Sequence, residues 1–248
     1  MRILLISLLT VAAIAPAAAA DLKLLTAGAF TSVALELVPE FEKKTGHKVT
    51  VENDTAGAVA RRVGGGEYVD VVVMPPAAMG PLLGSKLVES SAKPLARVGI
   101  GVAIKQGAPV PNISTVDAFK QSLLAARAIA YTDPASGGTA GIYLAKLFEK
   151  MGIADQLKPK SVLVKGGLAA EKIMSGEADI AMQPASELLA VPGVVLVGPI
   201  PLEVQSYTIY AGAVSAGARD QSAADALLAA LHGPDKAALL KKKGMELP

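Results

Sequence analysis

The chain has 248 residues, a formal net charge of +2 at neutral pH, no cysteine and no tryptophan. This small charge does not favour nucleic acid or a membrane surface as a partner. The lack of cysteine excludes disulfides and thiolate chemistry. His47 and His232 are the two histidines, and they lie too far apart in the sequence to favour a zinc site or a histidine-based triad. We therefore expect no metal and no other cofactor.

The first 20 residues are predicted to be a secretory signal peptide. A basic start precedes an apolar run over residues 3–14, and alanines at 17–20 provide small residues for cleavage after Ala20. The apolar run is too short to span a membrane, and no later stretch of sequence is long and apolar enough to do so. We expect a periplasmic protein that is not inserted in the membrane once the signal has been removed.

Apolar segments alternate with helical patterns along the rest of the chain. In the first part, strands are predicted at residues 22–26, 47–52 and 70–74, and helices at 32–45 and 58–63. This strand–helix alternation is the signature of a parallel α/β sheet.

The second part continues the same pattern. Its predicted strands cover residues 98–104, 128–131, 161–164, 178–182, 194–197 and 205–214. Its predicted helices cover residues 116–126, 139–150 and 168–175, followed by a helix pair within 220–243. Helices and strands therefore alternate nearly to the end of the chain, which predicts an α/β fold throughout.

Small polar turns follow five of the apolar strands. In open α/β sheets, ligands bind beyond the carboxyl ends of the strands. Five turns are more than one sheet of this length needs, and two lobes facing each other across a cleft would use all of them. The turns cover residues 27–32, 53–57, 133–139, 165–167 and 183–187.

The third turn lies within residues 131–143, which read YTDPASGGTAGIY. Its glycines, Gly137 and Gly138, allow the backbone to approach a ligand closely. We expect Ser136 or Thr139 to be the N-cap of the helix that follows. The free N–H groups and the helix dipole make this junction an anion site, but an ordinary, well-capped turn explains the sequence equally well.

At this point the sequence resembles a known family, the periplasmic solute-binding proteins of the molybdate-binding type, in a divergent branch that includes aconitate isomerase. The resemblance covers nearly the whole mature chain. The motifs that carry it are residues 24–30 (LLTAGAF), 41–49 (FEKKTGHKV), 60–62 (ARR), 133–134 (DP), 143–147 (YLAKL), 176–179 (GEAD) and 244–245 (GM).

The resemblance implies a type II binding-protein fold. In this α/β fold, two lobes, each a mostly parallel sheet with flanking helices, enclose a ligand cleft. We assign residues 21–99 and 207–248 to lobe I and residues 100–206 to lobe II. Helix N-termini in the cleft would hold a small anion, and an ABC permease would be the partner of a monomeric receptor.

Two of the family's three molybdate-binding positions are changed in this sequence. Ala29 and Phe30 stand where the family has a serine, and Gln183 and Pro184 follow the GEAD motif where it has a tyrosine. We therefore expect an organic di- or tricarboxylate as the ligand rather than molybdate.

The expected ligand-binding residues come from the five turns and from two nearby cations, Arg61 and Lys165. An arginine suits a carboxylate because it can bind both oxygens, although exposed cations at these positions would explain the sequence equally well. The full set is Ala29, Phe30, Thr55, Ala56, Gly57, Arg61, Ser136, Gly137, Gly138, Thr139, Lys165, Gln183 and Ser186.

Two functions are consistent with this sequence. The primary hypothesis is a non-enzymatic receptor of an ABC importer, and the alternative is an enzyme of the aconitate isomerase type on the same scaffold. An isomerase needs a base within hydrogen-bond reach of its substrate. Asp54, Asp133 and Glu187 all lie in the predicted turns, and the sequence does not distinguish a base among them.

Overall fold

The computed structural model describes residues 19–248, so the predicted signal peptide lies outside the described residues except for its last two. Nine strands alternate with ten helices over this part of the chain. The strands are β1 Asp21–Ala27, β2 Lys48–Asp54, β3 Val71–Met74, β4 Lys93–Lys105, β5 Ile129–Thr132, β6 Ser161–Val164, β7 Ile180–Pro184, β8 Val194–Pro199 and β9 Tyr207–Val214. The helices are α1 Thr31–Thr45, α2 Ala56–Gly64, α3 Pro76–Met79, α4 Val116–Ala125, α5 Thr139–Lys150, α6 Ala154–Leu157, α7 Glu171–Met174, α8 Ala185–Leu188, α9 Gln221–Ala230 and α10 Ala237–Lys242.

The strands form one curved path in the order β2-β1-β3-β9-β4-β7-β5-β6, with β8 also paired to β4. Two blocks are parallel: β2, β1 and β3 at one end, and β6, β5 and β7 at the other. Strands β9, β4 and β8 are antiparallel to their neighbours. The predicted α/β class is thus confirmed, and antiparallel strands link its two parallel blocks.

Strand β4 connects the two blocks. Its first half pairs with β9, from Lys93 opposite Gly212 to Gly99 opposite Tyr207. Its second half, from Ile100 onward, pairs with β7 and β8. The sequence predicted only residues 98–104 of this strand, because the polar Lys93 and Arg97 interrupt the apolar run.

The hydrophobic core is divided in the same way. One cluster of buried residues draws on residues 22–98 and 210–245. The other two draw on residues 100–200. This distribution supports the proposed lobe boundaries, and we use lobe I and lobe II below with the residues assigned above.

Two local expectations from the sequence need correction. The N-cap of α5 is Gly138, with no side-chain cap, rather than Ser136 or Thr139. Ser136 instead donates its hydroxyl to the carbonyl of Asp133, 2.7 Å away. The helix expected at 168–175 is reduced to the four residues of α7, because the turn before it ends later than its glycines suggested.

Candidate functional site

A cavity of about 430 Å³ lies between the two lobes. All five of the turns identified in the sequence contribute to its wall, because each follows the carboxyl end of a strand. The two parallel blocks connect to different halves of β4, the first of them through β9, and run in opposite directions, so their carboxyl ends face each other across the cavity. Strand and helix residues next to the turns complete it. The lining residues of the five turns are Ala27, Gly28, Thr31, Ser32, Asn53, Asp54, Thr55, Ala56, Gly138, Thr139, Gly166, Gly167, Gln183, Pro184, Ser186 and Glu187.

Three helices begin at this cavity. Their first turns place Ser32 of α1, Ala56 of α2 and Ala140 of α5 in its wall. The helices have 15, 9 and 12 residues, so their dipoles and free N–H groups favour an anion here. Lysine and arginine are both missing from the described residues that line the cavity.

The turns of the two lobes touch across one end of the cavity. Gly57 donates its backbone N–H to the carbonyl of Gly137 over 3.1 Å. Thr55, the N-cap of α2, donates its hydroxyl to the carbonyl of Ser136 over 2.6 Å. A Cβ on Gly57 would lie 3.0 Å from the Cα of Gly137, and Gly137 itself has a φ of +82°. Only glycine at these two positions permits so close an approach.

A second contact joins the lobes at the other side of the cavity. Ser186, in α8, donates its hydroxyl to the carbonyl of Ala29 over 2.8 Å, and both groups are buried. The neighbouring Glu187 reaches the backbone of Gly28, where an added Cβ would lie 2.3 Å from the Oε1 atom. Lobe I therefore covers Glu187, and Gly28 provides the space for its carboxyl group.

The Glu187 carboxyl is the unusual group of the cavity. Burial raises its pKa from 4.5 to about 8, and no hydrogen bond or charge within the described part of the chain offsets that shift. The side chain is half-buried because one side faces the cavity. At neutral pH this group is a protonated acid, yet its pKa is close enough to neutrality for it to lose and regain a proton readily.

Asp54, the other carboxylate of the cavity wall, is compensated by a cation. It lies 3.8 Å from Arg62, and Arg62 also binds Glu52 and Glu67. The hydrogen bonds from Arg62 and then from Lys23 lower the pKa of Glu67 to about 2. Asp54 therefore belongs to a network of ion pairs, whereas the carboxyl of Glu187 has no cationic partner among the described residues.

Tyr210 of β9 contributes a phenol to the same cavity, although only 4% of its surface is exposed. Burial raises its pKa first, and the negative charge of Glu187 raises it further. A backbone hydrogen bond from Ala29 to the phenol oxygen acts in the opposite direction. The phenol therefore stays protonated, and it lies close enough to Glu187 to respond to its charge.

The buried amide of Gln183 holds the fourth turn in place. Its Oε1 atom accepts from the N–H of Ala169 over 2.6 Å. Its Nε2 atom donates to Thr132 over 3.0 Å and to the carbonyl of Gly167 over 3.2 Å. Both polar atoms of the Gln183 side chain are thus hydrogen-bonded within the protein. Its role at the cavity is to position the turn at residues 165–167.

Within residues 19–248, the hydroxyl of Ser32 is the one side-chain polar group that is almost wholly shielded from solvent and has no hydrogen-bond partner. The residue lies in the cavity wall at the start of α1. A buried hydroxyl without a partner is uncommon in proteins.

Six of the residues predicted to bind a ligand line the cavity: Thr55, Ala56, Gly138, Thr139, Gln183 and Ser186. The other seven lie outside its lining. Gly57, Ser136 and Gly137 form the contact between the lobes, and Ala29 and Phe30 are buried behind the first turn. Arg61 approaches Gly57 from outside, and Lys165 is exposed.

The sequence did not single out Gly28, Ser32, Thr132 or Tyr210. Gly28 and Ser32 had a signal, since they lie in the first turn, whereas nothing in the apolar strand 205–214 marked Tyr210. The three candidate bases are now separated: Glu187 is unpaired in the cavity, Asp54 is ion-paired, and the carboxylate of Asp133 accepts the N–H of Ala135 over 2.9 Å as a local cap.

No group of three or more His, Asp or Glu side chains suited to a metal ion occurs within residues 19–248. The helices in this same part of the chain are all too short or too polar to cross a membrane.

The sequence of this chain is similar to those of known proteins over nearly all of its described length. The family model for bacterial extracellular solute-binding proteins matches residues 22–246. An aconitate isomerase from Pseudomonas sp is 35% identical over 232 residues, which cover 91% of this chain and 87% of that protein. The match therefore extends over both lobes and the cavity between them.

Two solved structures share the fold. The periplasmic molybdate-binding protein of Azotobacter vinelandii gives a TM-score of 0.75 at 20% identity, covering 92% of this chain and 99% of that one. The sulfate-binding protein SubI of Mycobacterium tuberculosis gives 0.73 at 16% identity, covering 92% and 87%. These similarities establish a two-lobe type II periplasmic binding-protein fold.

Proposed function

Because this chain belongs to the bacterial extracellular solute-binding protein family, we propose that it binds a small organic polycarboxylate between its lobes. We further propose that it moves a proton within that molecule, as an isomerase of the aconitate type. The relative that is 35% identical carries the name aconitate isomerase, and this similarity motivates the choice of substrate.

The observation that carries the proposal is the unpaired carboxyl of Glu187, with its pKa raised to about 8 by burial. Burying a carboxyl without a partner costs stability, and a role in proton transfer would explain why the chain keeps one here. A proton-transfer enzyme needs it, since a base works best when its pKa lies near the working pH.

The reaction is a 1,3-shift of a proton. The carboxylate form of Glu187 removes a proton from the methylene carbon of aconitate, and the electrons of that C–H bond form a new double bond to the central carbon. The old double bond becomes negative charge on the carbon beyond it and on the carboxylate attached there. Protonated Glu187 then returns the proton to that carbon, which exchanges cis- and trans-aconitate with no net change in atoms or charge.

The cavity supports an organic anion over a metal oxyanion. Its volume of about 430 Å³ lies within the range of ~300–1,000 Å³ that is usual for organic ligands. The first turns of three helices line it, which suits a molecule with several negative groups. Protonation of Glu187 and pairing of Asp54 with Arg62 reduce the repulsion that such an anion would meet.

The test is to incubate the purified protein with cis- or trans-aconitate and follow the two isomers by proton NMR. We expect interconversion by the natural protein, and a loss of at least about 100-fold in kcat for Glu187→Gln. Glu149→Gln, which changes an exposed carboxylate on α5, should retain full activity. Failure of the natural protein to convert either isomer would overturn the proposal.

A second candidate is a periplasmic receptor that delivers a small anion to an ABC permease. The family match favours it, because the family model that covers residues 22–246 is that of bacterial extracellular solute-binding proteins. A thermal-shift screen against aconitate, citrate, short dicarboxylates, molybdate and sulfate separates the two functions. A ligand at 100 times its Kd should add roughly 2.7 kcal/mol to the stability. Stabilisation without conversion would establish the receptor.

A further inference from the structure

The Tyr210 hydroxyl is a free hydrogen-bond donor at the cavity. The residue is 4% exposed and lines the cavity between the lobes. Its oxygen interacts with the backbone of Ala29, and it donates to no residue in the part of the chain that the structure describes. Buried tyrosine hydroxyls usually find a partner, so this one is available to a bound molecule.

Tyr210 and Glu187 reach the cavity from opposite lobes. Tyr210 lies on β9, within the core cluster of lobe I, and Glu187 lies on α8 of lobe II. The hydrogen bond from Ser186 to the Ala29 carbonyl joins the two sides. Ala29 thus contacts both Tyr210 and the residue next to Glu187, which fixes the phenol and the carboxyl in one arrangement.

We propose that Tyr210 is a second catalytic residue, which donates a hydrogen bond to the substrate carboxylate on which negative charge develops when Glu187 removes the proton. This inference rests on the proposed proton shift, and it names the group that stabilises its intermediate.

The surroundings of Tyr210 suit this role. A phenol is neutral, so it attracts a developing anion without holding the starting carboxylate as tightly as a lysine or arginine would. Burial and the charge of Glu187 both raise its pKa, which keeps the hydroxyl proton in place throughout the reaction. Donors fixed in advance in a cavity that excludes water are the strongest stabilisers of such charge.

In the step itself, Tyr210 keeps its proton. Glu187 breaks the substrate C–H bond and takes the proton, and the electron pair spreads over the carbon skeleton onto the carboxylate oxygen that faces Tyr210. The hydrogen bond shortens as that oxygen gains charge, and it relaxes when Glu187 returns the proton to the other carbon. No oxidant, reductant or further reactant takes part.

The main test compares Tyr210→Phe with Tyr207→Phe. Both tyrosines lie on β9, but Tyr207 is exposed and outside the cavity. We expect Tyr210→Phe to lower kcat roughly 100- to 1,000-fold with little change in KM, because the donor acts mainly in the transition state. Tyr207→Phe should match the natural protein. An unchanged kcat in Tyr210→Phe would overturn the inference.

A second readout needs no turnover. The nitronate form of 3-nitropropionate resembles the charged intermediate, and succinate resembles the starting acid. The natural protein should bind the nitronate at least about tenfold more tightly than succinate, and Tyr210→Phe should lose that preference while it still binds succinate. Equal preference in both proteins would count against Tyr210.

The two readouts separate the failure of one idea from the failure of the other. If the natural protein does not isomerise aconitate but its nitronate preference depends on Tyr210, the assigned substrate is wrong and the role of Tyr210 stands. If aconitate is isomerised and neither readout depends on Tyr210, the proposed function stands and the role of Tyr210 is wrong.

Discussion

Gly57 and Gly137 meet backbone to backbone across the cavity, where the N–H of Gly57 donates to the carbonyl of Gly137 over 3.1 Å. A methyl group at Gly57 would lie 3.0 Å from the Cα of Gly137. We therefore predict that Gly57→Ala separates the lobes at this point and weakens the binding of the ligand. Small-angle scattering with and without ligand should show less compaction, and titration calorimetry should show a higher Kd.

Gly64→Ala is the matched control, because it lies in the same helix and its added methyl would meet only a leucine at 3.6 Å. Replacing glycine by alanine within a helix stabilises it by up to about 1 kcal/mol. Gly64→Ala should therefore melt at a slightly higher temperature and bind normally. Equal Kd values for the two variants would contradict the role of the glycine contact.

The raised pKa of Glu187 predicts a pH-dependent cost to stability. In the folded protein its pKa is about 8, against 4.5 in an unfolded chain. Between these values the folded state holds a proton that the unfolded state has lost, so rising pH favours unfolding by up to about 1.4 kcal/mol per pH unit. Glu187→Gln removes this dependence.

Urea unfolding at pH 5 and at pH 8.5 measures the effect. The free energies of unfolding of Glu187→Gln and the natural protein should be similar at pH 5, and the variant should be the more stable at pH 8.5. Glu149→Gln should follow the natural protein at both values. A constant difference between Glu187→Gln and the natural protein across this range would show that the carboxyl titrates normally.

Arg62 stabilises the protein through the carboxylates that it joins, and this contribution should disappear in acid. The pKa of Glu67 is lowered to about 2 by Arg62 and Lys23, so the contribution is complete above pH 4.5 and is lost as pH falls toward 2. The groups are partly exposed, so Arg62→Met should cost only about 1–2 kcal/mol at pH 7.

Urea unfolding of Arg62→Met at pH 7 and at pH 3 tests this prediction, and the deficit should be smaller at pH 3. Lys44→Met, which removes an exposed ion pair with Glu40 in α1, is the control and should cost less stability than Arg62→Met. A deficit for Arg62→Met that is as large at pH 3 as at pH 7 would mean that packing, rather than charge, is lost.

Gln183→Leu should loosen the fourth turn. The variant leaves the buried N–H of Ala169 without its acceptor, which costs about 1–3 kcal/mol, and the carbonyl of Gly167 loses a donor. We expect a lower melting temperature and weaker ligand binding in the same variant. Gln156→Leu, at an exposed position of α6, should change neither, and normal binding by Gln183→Leu would show that the turn does not need this support.

The sequence predicted the fold well because its signals are local. Apolar runs ended by glycine or polar turns correspond to eight of the nine strands within a few residues. Strand β4 was predicted too short, since its first half owes its existence to pairing with β9, and that partner follows more than 100 residues later in the sequence. Long-range pairing of this kind leaves no local pattern.

The site was predictable only in outline. All five turns reach the cavity because strand ends mark its edge. Choosing Glu187 rather than Asp54 or Asp133 as the candidate base depends on which carboxylate has a partner in the folded protein. No spacing in the sequence shows that. Tyr210 was missed for a related reason, since its strand reads like any other and only the fold brings it near Glu187.

The position of β9 between β3 and β4 has a consequence for how the chain folds. Its two neighbours in the sheet are both complete by Lys105, whereas β9 begins only at Tyr207. About 100 residues are therefore synthesised before the strand that joins β3 to β4 is available. Residues 100–206, by contrast, contain all the partners that their own core needs. Lobe II can therefore fold while the chain is still being synthesised. Until β9 is made, the edge of β3 and the first half of β4 have no strand to pair with. The segment that contains β9 therefore completes lobe I last.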